Sequence, residues 1–228
     1  MAAPLELALA LAFAGPAARE RLEPLYAIDG EIEAAVRAGI EHAVAHAKLA
    51  WWRGEVDRLA AGRPEHPLAR RLVALAGAAP RYERLHERLT AADCALVGYA
   101  PGTADELELL VARSHGAFQS LAAEVLAGRA DPALQAFGAA LGRGLGLTAA
   151  LEAPGAPLVG PLERAPLVAR ARESLRAARD ALPKAERAAQ RHGLVRGALA
   201  EARLESPDPA PIPQLWLAWR TARRARRE

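Results

Sequence analysis

The apolar residues of this chain recur at the spacing of one helix face, and no segment alternates apolar and polar residues as a half-buried strand would. The clearest example lies between residues 17 and 36. Its apolar face comprises Leu22, Leu25, Ile28, Ile32 and Val36. Alanine, leucine, arginine and glutamate, all strong helix formers, dominate the composition. The pattern therefore predicts an all-α protein.

Proline and glycine residues divide this pattern into successive helices. The predicted helices span residues 5–14, 17–36, 39–62, 66–77, one or two short segments within 80–102, then 103–126, 131–151, 167–182, 184–204 and a C-terminal helix after a proline-rich linker. Residues 152–166 are predicted to form a loop. Thr103 and Glu106 have the spacing of a capping box. Pro24 is expected near the start of its helix or at a kink.

Two adjacent tryptophans, Trp51 and Trp52, fall inside the third predicted helix. Adjacent residues point about 100° apart on a helix, so the two rings cannot share one face. We expect one ring to be buried in the core and the other to face a neighbouring helix or the surface.

Composition and charge narrow the class of protein. The 228 residues are 52% hydrophobic, which is enough for a sizeable core, but only 4% aromatic, so leucine, alanine and valine must fill it. Cys94 is the only cysteine, which favours a reducing, cytoplasmic setting. The first apolar stretch has no basic residue before it, so a buried first helix is favoured over a cleaved signal peptide. No apolar run is long enough to span a membrane.

The positive charge is concentrated at the C-terminus. The chain carries a formal net charge of +3, and residues 220–228 contribute +4 from five arginines and one glutamate, which leaves −1 for the remainder. This distribution does not predict a nucleic-acid-binding surface on the body of the protein.

Several segments resemble the squalene/phytoene synthase family. "LYAIDGEIEAAV" at 25–36 and "KLAWWRGEVDRLAAGRPEHPLARRL" at 48–72 are similar to the family's Leu-Tyr-Ala-Phe-type helix, Trp-Arg helix and Gly-Arg-Pro-x-His-Pro loop. "LVARSHGAFQSLAAEVLAG" at 110–128 and "AFGAALGRGLGLTAALEA" at 136–153 are similar to its central pair of helices. The resemblance covers roughly residues 17–160 and, more loosely, the C-terminal helices. The paired tryptophans resemble the divergent branch that includes the mitochondrial complex I assembly factor.

This resemblance implies a single helical bundle of the isoprenoid synthase type over residues 1–205. Residues 206–228 would then be a proline-rich linker and a Trp/Arg helix that packs on the bundle or extends from it. The resemblance also implies a central cavity between residues 26–37 and 139–151. The small residues at a spacing of four around Gly138 and Gly142 are expected to let two central helices pack closely.

Family enzymes bind Mg²⁺ through two motifs, each with acids four residues apart, which lie on one helical face. The first motif falls on Glu33 and Arg37, so one acid is replaced by a cation. The second falls on Ala153 and Pro157, where neither residue is an acid. Tyr26 matches the family, whereas the family's arginine before the first motif is replaced by Gly30.

The polar pair that precedes the second motif is also missing, since it falls on Gly146 and Ala149. These losses predict a degenerate, non-catalytic member, a pseudoenzyme with no assigned catalytic or metal-binding residue and no expected cofactor. Tyr26 and Glu33 are the predicted substrate-binding residues. Such a protein would bind a prenyl or other lipid ligand, or act as an assembly factor for a protein partner.

The alternative is an active, Mg²⁺-dependent, head-to-head prenyl diphosphate transferase with altered acidic motifs. Asp29 and Glu33, also four residues apart, are a candidate for a shifted acid pair, and an exposed charged turn is the simpler interpretation.

We further predict that Arg37 pairs with Glu33 in the favourable acid-before-base order. His42 and His46 have chelating spacing but no third ligand, so a surface or semi-buried pair is expected.

The C-terminal segment "QLWLAWRTARRARRE" combines Trp216 and Trp219 with a run of arginines. Such a helix can lie on an anionic membrane surface, which would make the protein peripheral to the inner membrane. Alternatively, Leu215, Trp216 and Trp219 dock on the bundle and the arginines remain solvated.

Overall fold

The computed structural model describes residues 5–152, 164–206 and 210–227. Within these ranges all regular structure is helical, which confirms the all-α prediction. The helices are α1 (Leu5–Ala14), α2 (Pro16–Ala35), α3 (His42–Ala60), α4 (Pro67–Ala76), α5 (Leu85–Leu96), α6 (Ala104–Val111), α7 (Ala117–Ala127), α8 (Pro132–Glu152), α9 (Arg164–Ala181), α10 (Arg191–Glu205) and α11 (Pro211–Ala225).

The predicted boundaries differ from the observed ones mainly at helix starts. α3 begins at His42 rather than Gly39, because Gly39 has a φ of 89°, in the left-handed region that a helix cannot use. α10 begins at Arg191, after a short 3-10 turn at Lys184–Glu186. Pro24 lies inside α2 rather than near its start. Thr103 caps α6 as predicted, since its hydroxyl accepts a hydrogen bond from the backbone N–H of Glu106 at 3.2 Å.

The two tryptophans of α3 separate as predicted. Trp52 is 5% exposed and lies in the core, whereas Trp51 is 45% exposed. The loop that follows α3 is held by the buried Glu55, whose carboxylate accepts hydrogen bonds from the backbone N–H groups of Glu65 and His66 at 2.8 and 2.7 Å. These two bonds fix the chain reversal into α4.

Two large hydrophobic clusters make up most of the core. The first involves α2, α3, α4, α5 and most of α7, and the second surrounds α8 together with α6, α9 and α10. α7 joins them, because Leu121 and Val125 belong to the first cluster while Ala123 faces the second. A small third cluster joins α1, α10 and α11.

α6 and α7 are connected by a π-helical turn at Ala112–Gly116. α8 packs closely against α7 and this turn, as the glycine spacing predicts. A Cβ atom added at Gly138 or Gly142 would come closer than 3.0 Å to backbone atoms of Ser120 or His115, respectively. The two backbones therefore approach each other to a distance that only glycine permits.

α11 lies on α1 and α10 at one end of the molecule. It packs through Ala218, Ala222 and Ala225, which are almost fully buried. Among the described residues, no helix combines the length and apolar character needed to cross a membrane. The proposed division of the chain at residue 205 stays a prediction.

Candidate functional site

The acids on α2 bind an arginine. Asp29 and Glu33 lie one turn apart and both accept hydrogen bonds from Arg88 on α5, at 2.6 Å to Nε and 2.9 Å to Nη2. The Arg88 side chain is only 10% exposed. Burial opposes its charge, but the two carboxylates outweigh this effect and raise the pKa of Arg88. The two acids therefore do share one face of α2, and a buried guanidinium occupies that face.

The predicted ion pair between Glu33 and Arg37 is wrong. α2 ends at Ala35, so Arg37 follows the last helical turn and no longer stands one turn beyond Glu33. Arg37 is exposed, whereas the carboxylate of Glu33 turns to Arg88 on a different helix. The surviving acid of the first motif is thus engaged by a residue 55 positions away in the sequence.

Tyr26 lies two turns before Glu33 and belongs to a buried polar cluster. Its hydroxyl oxygen accepts a hydrogen bond from Nη1 of Arg196 at 2.9 Å, and Gln119 donates a longer bond of 3.5 Å. Its ring contacts the rings of Phe118 and His192, with centroids 5.3 and 5.4 Å apart. Burial raises the pKa of Tyr26, so the phenol stays protonated at neutral pH.

Arg196 connects Tyr26 of α2 to α1. Its Nε lies 3.3 Å from the carboxylate of Glu6 on α1. Arg203, two turns further along α10, pairs with both Glu6 and Glu152, the last residue of α8. We call Glu6, Tyr26, Glu152, Arg196 and Arg203 the central network. Its charges alternate, so each buried ion has an opposite partner.

Two histidines lie beside this network. His115 comes from the π-helical turn and packs close to Gly146 of α8. Burial, followed by the charges of Arg88 and Arg196, lowers the pKa of His115 to about 3. His192 is 1% exposed, and burial together with Arg196 lowers its pKa well below the usual value. Both imidazoles are therefore neutral at physiological pH.

The structure does not bring the predicted site residues together in one site. Tyr26 and Glu33 both lie on α2, but they bind different arginines and share no direct contact. Ala153 and Pro157 lie outside the described residues. The central cavity between residues 26–37 and 139–151 stays a prediction. α7 contacts both α2 and α8, and its Gln119 donates a hydrogen bond to Tyr26. A cavity of about 460 Å³ is lined by α8, α9, α10 and α11.

Sequence reasoning missed Arg88, Arg196, Arg203 and Glu6. One signal was present, because each of these residues stands next to apolar positions that define a buried face. Arg88 adjoins Leu89 and lies one turn from Leu85 and Ala92, which are all buried. A charged residue on such a face must find a partner or remain uncompensated in the interior.

An all-α bundle of this kind is consistent with the isoprenoid synthase type of fold. The family model for squalene/phytoene synthase matches residues 5–153, and the chain belongs to this family. Searches of curated proteins and of solved structures each gave no match.

The residues of the first motif do not fit the Mg²⁺ that this family implies. Mg²⁺ is held through carboxylate oxygens in near-octahedral geometry, whereas this motif has Arg37 at one acid position, and an oxygen of Glu33, its remaining acid, accepts a hydrogen bond from the cationic Arg88. Within the described ranges, no group of three or more His, Cys, Asp or Glu residues is placed to hold a metal ion. The second motif supplies no acid at its two positions in the sequence.

Proposed function

We propose that this chain is a non-catalytic member of the squalene/phytoene synthase family that acts by binding rather than by prenyl transfer. The observation that carries the proposal is the contact of Arg88 with both Asp29 and Glu33. The family's acids recruit a dication to a diphosphate. In this chain a guanidinium, built into the fold, neutralises the corresponding face of α2.

The central network supports the same proposal. A working diphosphate centre needs space for the substrate and for hydrated metal ions. Here Tyr26 is engaged by Arg196, and Glu152 at the end of α8 is engaged by Arg203. The five residues of the central network bind one another through hydrogen bonds and ion pairs, so the arrangement favours a structural role for them. Binding of a prenyl or other lipid, or of a protein partner, then takes place at other surfaces, without a cofactor.

The first prediction concerns catalysis. With Mg²⁺ and either farnesyl or geranylgeranyl diphosphate, the purified protein should release no more pyrophosphate than a reaction without protein. The physical reason is that metal-assisted ionisation of the diphosphate requires acids that are either missing or paired. A coupled pyrophosphate assay measures the release directly, and calorimetry should detect no saturable Mg²⁺ binding in the presence of the diphosphate.

Matched variants separate this proposal from the enzyme alternative. Asp29→Asn and Glu33→Gln remove the paired acids, whereas Glu31→Gln removes an exposed acid on the same helix. Turnover by the wild-type protein that disappears in the first two variants and persists in the third would show that the chain is a prenyltransferase with a shifted acid pair. Equal background signals from all four proteins support the non-catalytic proposal.

A further inference from the structure

α11 presents four large apolar side chains to solvent, whereas Leu217 packs against the bundle. Ile212 is 80% exposed, Trp216 55%, Leu215 49% and Trp219 44%. The interpretation in which Leu215, Trp216 and Trp219 dock on the bundle is therefore wrong. Small alanines and the partly buried Leu217 make the contact instead, and they pack next to Ala10, Val195 and Leu199 of α1 and α10.

Arginines continue the same outward face toward the end of the helix. Trp219 and four arginines line a shallow recess of about 430 Å³. The arginines are Arg220, Arg223, Arg224 and Arg227. Residues 210–227 contain no acid, and within the described part of the chain none of these four arginines forms a salt bridge. The recess is thus a concentration of positive charge whose arginines form no ion pair among the described residues.

Stacking orders the arginines against the tryptophans. The guanidinium of Arg220 lies 4.4 Å from the ring centre of Trp216, and that of Arg223 lies 5.2 Å from Trp219. A cation over an indole face stays near the ring and keeps its N–H donors available to an acceptor. The outward face therefore offers apolar surface and phosphate-binding groups side by side.

We infer that the outward face of α11 binds the surface of an anionic phospholipid membrane. Tryptophan favours the level of the lipid headgroups, isoleucine and leucine enter the acyl boundary, and arginines bind lipid phosphates. A helix lying parallel to the membrane satisfies all three groups at once. Since the rest of the chain carries a net charge of −1, attraction to an anionic surface would orient the protein with α11 toward it.

A membrane explains this face better than a nucleic acid or a protein does. A phosphate backbone would use the arginines but leave Ile212 and Leu215, at the other end of the helix, exposed to water. An acidic protein surface would bind the arginines but would provide no apolar contact for the two exposed tryptophan rings. The inference goes beyond the proposed function and does not depend on it, because pyrophosphate release and membrane binding are measured separately.

Vesicle sedimentation with the full chain tests the inference. The wild-type protein should bind vesicles of phosphatidylcholine mixed with phosphatidylglycerol much more tightly than vesicles of phosphatidylcholine alone. Each arginine near an anionic surface contributes about fivefold to binding, so Arg220→Gln/Arg223→Gln/Arg227→Gln should weaken it on the order of 100-fold. Trp216→Ala/Trp219→Ala should weaken it about tenfold or more.

Two control variants change the same properties elsewhere on the surface. Arg63→Gln/Arg172→Gln/Arg176→Gln removes three exposed arginines, and Val97→Ala/Leu109→Ala removes two exposed apolar side chains. Both should bind anionic vesicles within about twofold of the wild type, because long-range charge is screened and these residues lie outside α11. All substituted residues are exposed, so circular dichroism should show unchanged helicity.

Three outcomes would overturn the inference. The first is a wild-type protein that does not bind anionic vesicles, including one whose tryptophan face instead mediates self-association detected by sedimentation. The second is equal weakening by the α11 and control arginine variants, which would indicate a general charge effect. The third is full displacement by inorganic phosphate that chloride at matched ionic strength does not reproduce, which would show that the recess binds the free anion rather than a membrane.

Discussion

At the scale of single residues, Arg88 determines what the acids of α2 can bind. It lies on the buried face of α5, where its guanidinium would be strongly unfavourable without partners. Asp29 supplies a close, largely buried carboxylate, while the side chain of Glu33 is 65% exposed and adds a weaker contact. The three side chains are therefore a unit in which Asp29 is the principal partner.

Removing Arg88 should be costly for stability. Arg88→Gln leaves the carboxylate of Asp29 partly buried without its cation, and we expect a loss of about 3 kcal/mol in the free energy of unfolding. Urea unfolding followed by circular dichroism measures this loss. Asp29→Asn should cost more than Glu33→Gln, because Glu33 is mostly solvated.

Arg113→Gln is the matched control for this prediction. Arg113 also forms a two-point contact with a carboxylate, that of Glu87, but both side chains lie at the surface. Its removal should leave stability close to that of the wild type. Equal losses in the free energy of unfolding for Arg88→Gln and Arg113→Gln would show that the buried contact contributes no more to stability than the surface contact.

At the scale of helices, the glycines of α8 set how closely the two central helices approach. The contact passes over the π-helical turn, where the backbone of His115 lies against Gly142. The outcome of adding a methyl group there depends on what it meets. Backbone atoms cannot move aside without shifting a helix, whereas a leucine side chain can change its rotamer.

Alanine substitutions should therefore give a graded series. Gly142→Ala should destabilise the protein by about 3 kcal/mol, since its methyl group would meet the backbone of His115. Gly144→Ala should cost less, because it meets the side chain of Leu175. Gly30→Ala, on the exposed face of α2 with nothing within 4 Å, should stabilise by up to about 1 kcal/mol. Urea midpoints measure the order, and a Gly142→Ala protein as stable as Gly30→Ala would contradict the close packing.

At the scale of the whole molecule, arginines from different helices act on two buried histidines. The charges of Arg88 and Arg196 both lower the pKa of His115, and that of Arg196 also lowers the pKa of His192. Burial and the neighbouring arginines disfavour the protonated form of both imidazoles, so protonation of either one would destabilise the fold. The interior is therefore expected to be sensitive to acid, although the surface is rich in arginine.

Acid should destabilise the protein through these two histidines. In the unfolded chain a histidine takes up a proton near pH 6.5, whereas His115 in the fold does so only near pH 3. Between these values the unfolded state binds the extra proton, so stability is present above about pH 6.5 and falls as the pH is lowered. Each histidine contributes up to about 1.4 kcal/mol per pH unit.

Urea unfolding at a series of pH values below neutrality tests this dependence. His115→Gln should reduce the slope of stability against pH, even if it also changes stability at neutral pH. His42→Gln/His46→Gln is the control, because these two histidines form an exposed pair on α3, as predicted, with their Nε2 atoms 3.0 Å apart. A slope unchanged by His115→Gln would place the acid sensitivity elsewhere.

Local features of the fold were predictable from the sequence alone. The succession of helices, the cap at Thr103, the different fates of Trp51 and Trp52, and the close packing at Gly142 all follow from interactions within a few residues or from the size of one side chain. Helical periodicity and glycine's missing side chain are written directly into the order of residues. The resemblance to the family, and not a local interaction, predicts that acids are missing at its metal-binding positions, and this assignment stays a prediction.

Tertiary structure alone decided which charges pair and which face of α11 is buried. Asp29 and Glu33 are 59 and 55 residues from Arg88, so only the packing of α2 against α5 brings them together. The carboxylate of Glu33 contacts that arginine, and α2 ends before Arg37, which is therefore not one helical turn from Glu33. α11 carries both an alanine face and a tryptophan face, and the alanine face is the one that packs against α1 and α10. A helix pattern specifies the faces, but the surface it meets selects between them.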